Sequence, residues 1–226
     1  MPTPPDAENQ DGLTRPLSEC LAYVFPTPLA LHHWPDSLAL NADLKAYIER
    51  SEAEERGAED AKTKSNVGGW HSDVRFLLRE EPCLKALRER IMALATPLTE
   101  SMMMGKKDFT YQLEGWANVL RRGSYNTMHV HPGSTWSGVY YVTDSAAQTD
   151  PAAKSGNENL SGTIEFFDPR PGAAASPSHE NRMQRRSVFK PPAGAMIIFP
   201  SWLQHMVHPY CGDEARLSVA FNVKVQ

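Results

Sequence analysis

The sequence predicts a mainly β protein with flanking helices, an α+β chain whose helices come first. Apolar residues recur at helical spacing before residue 104, and from Phe109 the period changes to two. The later apolar runs are separated by turn-rich segments, as in a sandwich or barrel.

The elements follow in order. Residues 1–16 are polar and Pro-rich and read as a disordered tail. Residues 17–226 read as one domain, with helical support over about 36–104 and a β core over about 108–226. Asn41 is placed to cap a helix that runs through Leu44, Tyr47 and Ile48 to near Gly57. Residues 57–69 are polar and read as loop. Pro82 suits a helix start, and Leu84, Leu87, Ile91 and Leu94 follow at helical spacing. Pro97 is expected to kink or end that helix, because it lacks the N–H an interior position needs. The three methionines at 102–104 read as core filler.

Phe109, Tyr111 and Leu113 then alternate with polar neighbours, and 116–120 continues as a buried strand. GVYYVT (138–143), TIEFF (163–167), AMIIF (195–199) and LSVAFNVKV (217–225) are rich in β-branched and aromatic residues and read as strands. Two long loops, 144–161 and 169–186, interrupt them. Loops of that length are commonly functional lids or disordered segments, and both are candidates for lids here.

Composition removes several classes of function. With 41% hydrophobic and 22% charged residues, the 226-residue chain has an ordinary globular make-up. A net charge of -4 with no basic stripe argues against a nucleic-acid partner; Arg121–Arg122 and Arg185–Arg186 are isolated pairs that read as solvated loop charges. Cys20, Cys83 and Cys211 are far apart and form no CxxC pair, which argues against a thiolate zinc site and fits reduced thiols in a cytoplasmic protein. No apolar run approaches the roughly 20 residues that span a bilayer, and the N-terminus has no signal-peptide pattern, so no membrane association is expected. Oligomeric state is open, with a homodimer among the options.

The chain has eight histidines, and two of them, His129 and His131, lie one residue apart in GSYNTMHVHP. On a strand, residues i and i+2 share a face, so two imidazoles there can grip one metal ion. A third, His205, follows the AMIIF run in FPSWLQH. A close pair plus one distant ligand suits the facial arrangement that leaves open positions on non-haem iron. The usual third group there is a carboxylate, and this chain has a histidine instead.

Arg216 comes eleven residues after His205, with Ser218 on the same strand face. An arginine on a buried strand needs an anionic partner, and a guanidinium pairs in bidentate fashion with a carboxylate. A dicarboxylate bound to the metal at one end would meet Arg216 and Ser218 at the other. Taken alone, the HxH pair also suits surface histidines, and Arg216 also suits a structural salt bridge.

The spacing His-x-His, about 70 residues, His, about ten residues, Arg-x-Ser resembles the 2-oxoglutarate- and Fe(II)-dependent oxygenase superfamily. NTMHVHPGS (126–134), SGVYYV (137–142), FDPR (167–170), FPSWL (199–203) and RLSVAFN (216–222) resemble a bacterial, prolyl-hydroxylase-like family of such oxygenases. FPTPL (25–29) and GGWHS (68–72) do so as well, and the resemblance runs from about residue 22 to the end.

The resemblance implies a double-stranded β-helix, the jelly-roll core. It implies Fe(II) on His129, His131 and His205, with 2-oxoglutarate as co-substrate and its distal carboxylate on Arg216. Ser218 and Tyr141 would stand beside that carboxylate. Tyr140 is the competing tyrosine, on the opposite face of the same strand. Asn126 and Asn222 are candidates for contacts around the ligands or the co-substrate, and no catalytic side chain is implied beyond the metal ligands. The implied reaction is an oxidation, a hydroxylation of an unidentified small-molecule or protein substrate with release of succinate and carbon dioxide. His131 departs from the pattern, since most members have Asp or Glu there.

Two other readings share the fold. A cupin-type dioxygenase independent of 2-oxoglutarate fits Gly123, His129, His131, Gly194, Pro200 and His205. It lacks its glutamate, because Thr135 and Trp136 stand at those positions, and Trp202 replaces its glycine. A non-enzymatic metal-binding jelly-roll would call for four closed ligands, and three cluster here. His208, three residues past His205, is expected to face elsewhere.

Overall fold

The larger sheet of the protein is organised around its C-terminal strand, whose two faces set the positions of the helices and of a cavity. The computed structural model describes residues 25–55, 65–103, 108–145, 160–170 and 186–226. The expected tail, Cys20, Met104 and most of both expected lid loops lie outside the described residues. The strands are β1 (Ala30–His33), β2 (Asn66–Val67), β3 (Trp70–His71), β4 (Tyr111–Leu120), β5 (Tyr125–His129), β6 (Trp136–Tyr141), β7 (Ile164–Phe167), β8 (Arg186–Phe189), β9 (Ala195–Pro200), β10 (His205–Val207) and β11 (Arg216–Val225). The helices are α1 (Leu38–Glu55) and α2 (Pro82–Met102).

Six strands form one sheet in the order β1-β9-β6-β11-β4-β3, and five form the other in the order β2-β5-β10-β7-β8. Their pairings are antiparallel. The two sheets make the double-stranded β-helix, and both helices cover the outer face of the six-stranded sheet.

Period-two alternation divides β11 between two environments. Leu217, Val219, Phe221 and Val223 join Leu44 and Ile48 of α1, and Leu84, Leu87 and Ile91 of α2, in the main apolar core. Each fully buried side chain of this kind contributes about 1.5–3 kcal/mol. Arg216, Ser218, Ala220 and Asn222 turn the other way and line a cavity. Tyr141, Ile164, Phe166, Ile197, Phe199 and Leu203 close a smaller apolar cluster between the sheets. Gly138 has a packing reason: a Cβ there would collide with the Phe221 ring and the Ile197 carbonyl.

Five sequence expectations change. The first helix starts at Leu38, so Asn41 lies inside it and is not its cap. Its side chain instead accepts a hydrogen bond from the Tyr140 hydroxyl at 2.6 Å, tying helix to sheet. The second helix runs through Pro97 to Met102. Buried contacts hold the turn beyond the proline: Thr99 donates to the Ala95 carbonyl at 2.7 Å and accepts from the Trp136 indole at 2.9 Å. Met102 and Met103 are exposed surface residues and not core filler. Within 57–69, Asn66–Val67 pairs with β5 as a short strand. Arg121 and Arg122 are not free loop charges: Arg121 grips Glu52 of α1 in bidentate fashion at 2.6 and 2.8 Å, and Arg122 pairs with Asp213.

Candidate metal centre and co-substrate cavity

Strands β5 and β10 run side by side, and their register sets His205 directly opposite His129. The two rings lie 4.3 Å apart, centroid to centroid. His131 lies just beyond the end of β5, where its backbone N–H donates to the Ser201 carbonyl at 2.9 Å. That bond brings its ring to 5.0 Å from His129 and 5.2 Å from His205. One ring nitrogen from each histidine lies within 4.8 Å of the others, and among the described residues no carboxylate or thiol joins the group.

Backbone carbonyls orient two of the rings. His129 Nδ1 lies 2.6 Å from the Thr127 carbonyl and His205 Nδ1 lies 2.9 Å from that of Leu203. A neutral imidazole that donates through Nδ1 keeps its Nε2 lone pair for a metal. Burial lowers all three pKa values, His131 to about 4 and His205 to about 3, with the neighbouring histidines adding to the effect for those two. Neutral imidazole is the ligating form, so at neutral pH the group is ready to coordinate.

The histidines open onto a cavity of about 330 Å³ between the sheets. Arg216 stands on its wall, 2% exposed. Among the described residues no carboxylate pairs with it, and its Nε has no hydrogen-bond partner. The Tyr141 hydroxyl is equally buried and equally without a partner. The guanidinium carbon lies 5.2 Å from the centroid of the Tyr141 ring. Burial pushes Tyr141 up to about 12, the Arg216 charge only partly offsetting it, and burial also lowers Arg216. A buried cation without a counter-charge costs several kcal/mol, so this position suits an anion. The residues therefore fit a metal ion at one point of the cavity and a carboxylate at another.

Of the other residues singled out in the sequence, Ser218 and Asn126 line the cavity. Asn222 does too, but its amide is engaged: Oδ1 accepts from Ser137 and Nδ2 donates to Glu114. Tyr140 lies on the helix-facing side of β6, bonded to Asn41, and does not reach the cavity. His208 turns to the buried Glu165, at 2.5 Å. His71, Trp116, Asn118 and Glu114 also line the cavity and were not anticipated. The signal for three of them was available, since Glu114, Trp116 and Asn118 share a face of β4 at period two. That strand's register against β11 is what turns the face inward.

Comparisons with known proteins agree with this geometry. Residues 114–222, which span the three histidines and Arg216, match the family described as "Putative 2OG-Fe(II) oxygenase". A search of curated proteins finds no match. Among solved structures, a prolyl-4-hydroxylase from Pseudomonas putida is similar at a TM-score of 0.57 with 16% identity, covering 88% of this chain and 92% of that one. SnoN, a non-haem alpha-ketoglutarate-dependent epimerase from nogalamycin biosynthesis, superimposes at a TM-score of 0.62 with 16% identity, covering 87% and 77%. HygX from Streptomyces hygroscopicus, solved with nickel and 2-oxoglutarate, does so at 0.54 with 12% identity, covering 88% and 82%. At these identities the structural likeness carries the fold alone, and the family match carries the chemistry. The family match over residues 114–222, with the shared fold, supports a 2OG-Fe(II)-dependent oxygenase, an oxidoreductase with Fe(II) as metal and 2-oxoglutarate as co-substrate.

Proposed function

We propose that His129, His131 and His205 hold the iron, and that Arg216, with Tyr141 and Ser218, holds the distal carboxylate of 2-oxoglutarate. The reaction is hydroxylation of a small-molecule or protein substrate, with release of succinate and carbon dioxide. The observation that carries this reading is Arg216, a fully buried cation with no carboxylate partner among the described residues, in the cavity onto which the three imidazoles open.

Bound iron supplies the activation of dioxygen, coupled to oxidation of the keto acid. The chain's own residues bind, orient and exclude water. Arg216 offers a planar pair of donors that matches a carboxylate, and the Tyr141 hydroxyl, held protonated by burial, donates a further bond. The Ser218 hydroxyl lies on the same face of β11. Ile164, Phe199 and Val207 add apolar surface to the cavity lining. Three neutral imidazoles leave the full charge of a divalent ion in place, which favours a doubly anionic co-substrate. Asn126 lines the cavity with its amide available to the ligands or the co-substrate. Residues 17–226 act as one oxygenase domain, and the free thiols of Cys83 and Cys211 fit a cytoplasmic setting.

Anaerobic addition of 2-oxoglutarate to the Fe(II) protein tests this reading. A weak visible charge-transfer band, followed by succinate on admission of air, is the expected result. No band together with no succinate would overturn it.

A further inference from the structure

The exposed residues Val74 and Glu114 mark a mouth of the cavity on the side of His131. Trp116 stands there with its ring 5.7 Å from that of His131, and His71 stacks on Trp116 at 5.4 Å with planes 21° apart. Glu114 is two residues away on the same inward face of β4. Among the described residues that line the cavity, Glu114 is the only carboxylate and Arg216 the only guanidinium or ammonium. Asn222, which grips Glu114, lies six residues along β11 from Arg216, about 20 Å at the rise of an extended strand. The two charges therefore serve different parts of whatever the cavity holds.

The position of Glu114 is built rather than incidental. The Ser137 hydroxyl donates to Asn222 Oδ1 at 2.7 Å, which fixes the amide so that Nδ2 donates to Glu114 Oε1 at 2.8 Å. Ser137 is 1% exposed and Asn222 6%, so two buried polar side chains orient one exposed carboxylate at the edge of the cavity. A solvated surface glutamate needs no such support. Arg75 and Lys224 line the adjoining groove, and neither forms an ion pair with Glu114.

We infer that this mouth is the substrate compartment and that it selects a substrate bearing an ammonium or guanidinium group on an alkyl chain. The cation pairs with Glu114, and the methylenes lie along the Trp116–His71 wall, which brings their C–H bonds toward His131. An aromatic face is suited to both halves of such a molecule, the apolar stem and the cation. The inference rests on the oxygenase reading, because it takes Arg216 to be occupied by the co-substrate.

The test is calorimetric titration of the anaerobic Fe(II)–2-oxoglutarate protein with 1,5-diaminopentane, L-lysine and L-arginine, against the uncharged-tail isostere L-norleucine and the dianion pimelate. At least one cationic probe is expected to bind about tenfold or more tightly than norleucine and pimelate, the range of a charge-assisted hydrogen bond. Glu114→Gln is expected to erase that preference, and Glu114→Asp to restore part of it. Absence of any cationic preference in the wild type, including absence of binding by every cationic probe, overturns the inference, as does a preference that survives Glu114→Gln. A parallel 2-oxoglutarate titration separates the two levels. Wild type that fails to bind 2-oxoglutarate loses the oxygenase reading itself, whereas 2-oxoglutarate binding without cation preference removes only the substrate class.

Discussion

Leu217, Val219, Phe221 and Val223 leave β11 toward the helices, while Arg216, Ser218, Ala220 and Asn222 leave the same strand into the cavity. All eight are buried or nearly so, yet burial does opposite work on the two sides. On the helix side it removes apolar surface from water and stabilises the fold. On the cavity side it surrounds the Arg216 cation, the Ser218 hydroxyl and the Asn222 amide, and leaves Arg216 Nε, like the Tyr141 hydroxyl of β6 beside it, without a partner. One strand thus carries part of the stability on one face and, in the proposed reading, the ligand recognition on the other. Variants on the two faces should separate the two properties.

The largest functional effect belongs to the metal position. His129→Ala or His205→Ala should abolish tight Fe(II) binding and succinate formation while the far-ultraviolet circular dichroism of the apo protein stays native-like. Metal analysis after dialysis checks this. The sharpest contrast within β11 is Phe221→Ala against Arg216→Met. Phe221→Ala should cost about 3–5 kcal/mol in denaturant unfolding, with 2-oxoglutarate affinity little changed in the folded fraction. Arg216→Met should weaken 2-oxoglutarate binding by about tenfold to a hundredfold, while the apo protein holds or gains stability because an unpaired buried cation is gone. Equal losses of stability in both variants would break the comparison.

Smaller effects sharpen it. Gly138→Ala sets a methyl against the Phe221 ring and should cost about 1–3 kcal/mol by overpacking. Tyr141→Phe should weaken 2-oxoglutarate binding by about two- to tenfold, the range of one neutral hydrogen bond. It should also change the alkaline limb of stability. Tyr141 ionises near 12 in the fold against 10.0 ordinarily, so between those values the unfolded chain loses a proton that the folded chain keeps. The stability present below about pH 10 is therefore lost as pH rises toward 12. Burial raises Tyr140 and Tyr210 in the same direction, so Tyr141→Phe should shallow that limb without removing it.

What could be read in advance follows the physics of each element. Long strands with period-two alternation, such as 217–225, announce themselves, because one buried face imposes the pattern along the whole run. So does the stripe Leu84, Leu87, Ile91 in α2. The two- to four-residue strands β1, β2, β3, β8 and β10 were not foreseen, since their existence depends on the partner strand more than on their own residues. Of the kink or end expected at Pro97, the end does not occur, for a similar reason: Thr99 and Trp136, 37 positions apart, bond across the core and hold the last turn. In the site, His129, His131, His205 and Arg216 stood out because imidazole pairs and strand-borne guanidiniums are chemically conspicuous. Tyr140 and Tyr141 were separated only by seeing which face meets Asn41 and which meets Arg216. Glu114 shares its period-two face with Trp116 and Asn118, but a glutamate in an alternating strand looks like any solvent-facing residue, so the pattern alone does not show that this face turns inward.

In the proposed reading one cavity holds metal on three histidines and a carboxylate on Arg216. The most direct measurement is a crystal structure of the protein grown anaerobically with Fe(II) and 2-oxoglutarate. The expected result is the ion on ring nitrogens of His129, His131 and His205, and the distal carboxylate on Arg216 with the Tyr141 hydroxyl within hydrogen-bond distance. Iron away from this triad, or 2-oxoglutarate bound with Arg216 still unpaired, would contradict it.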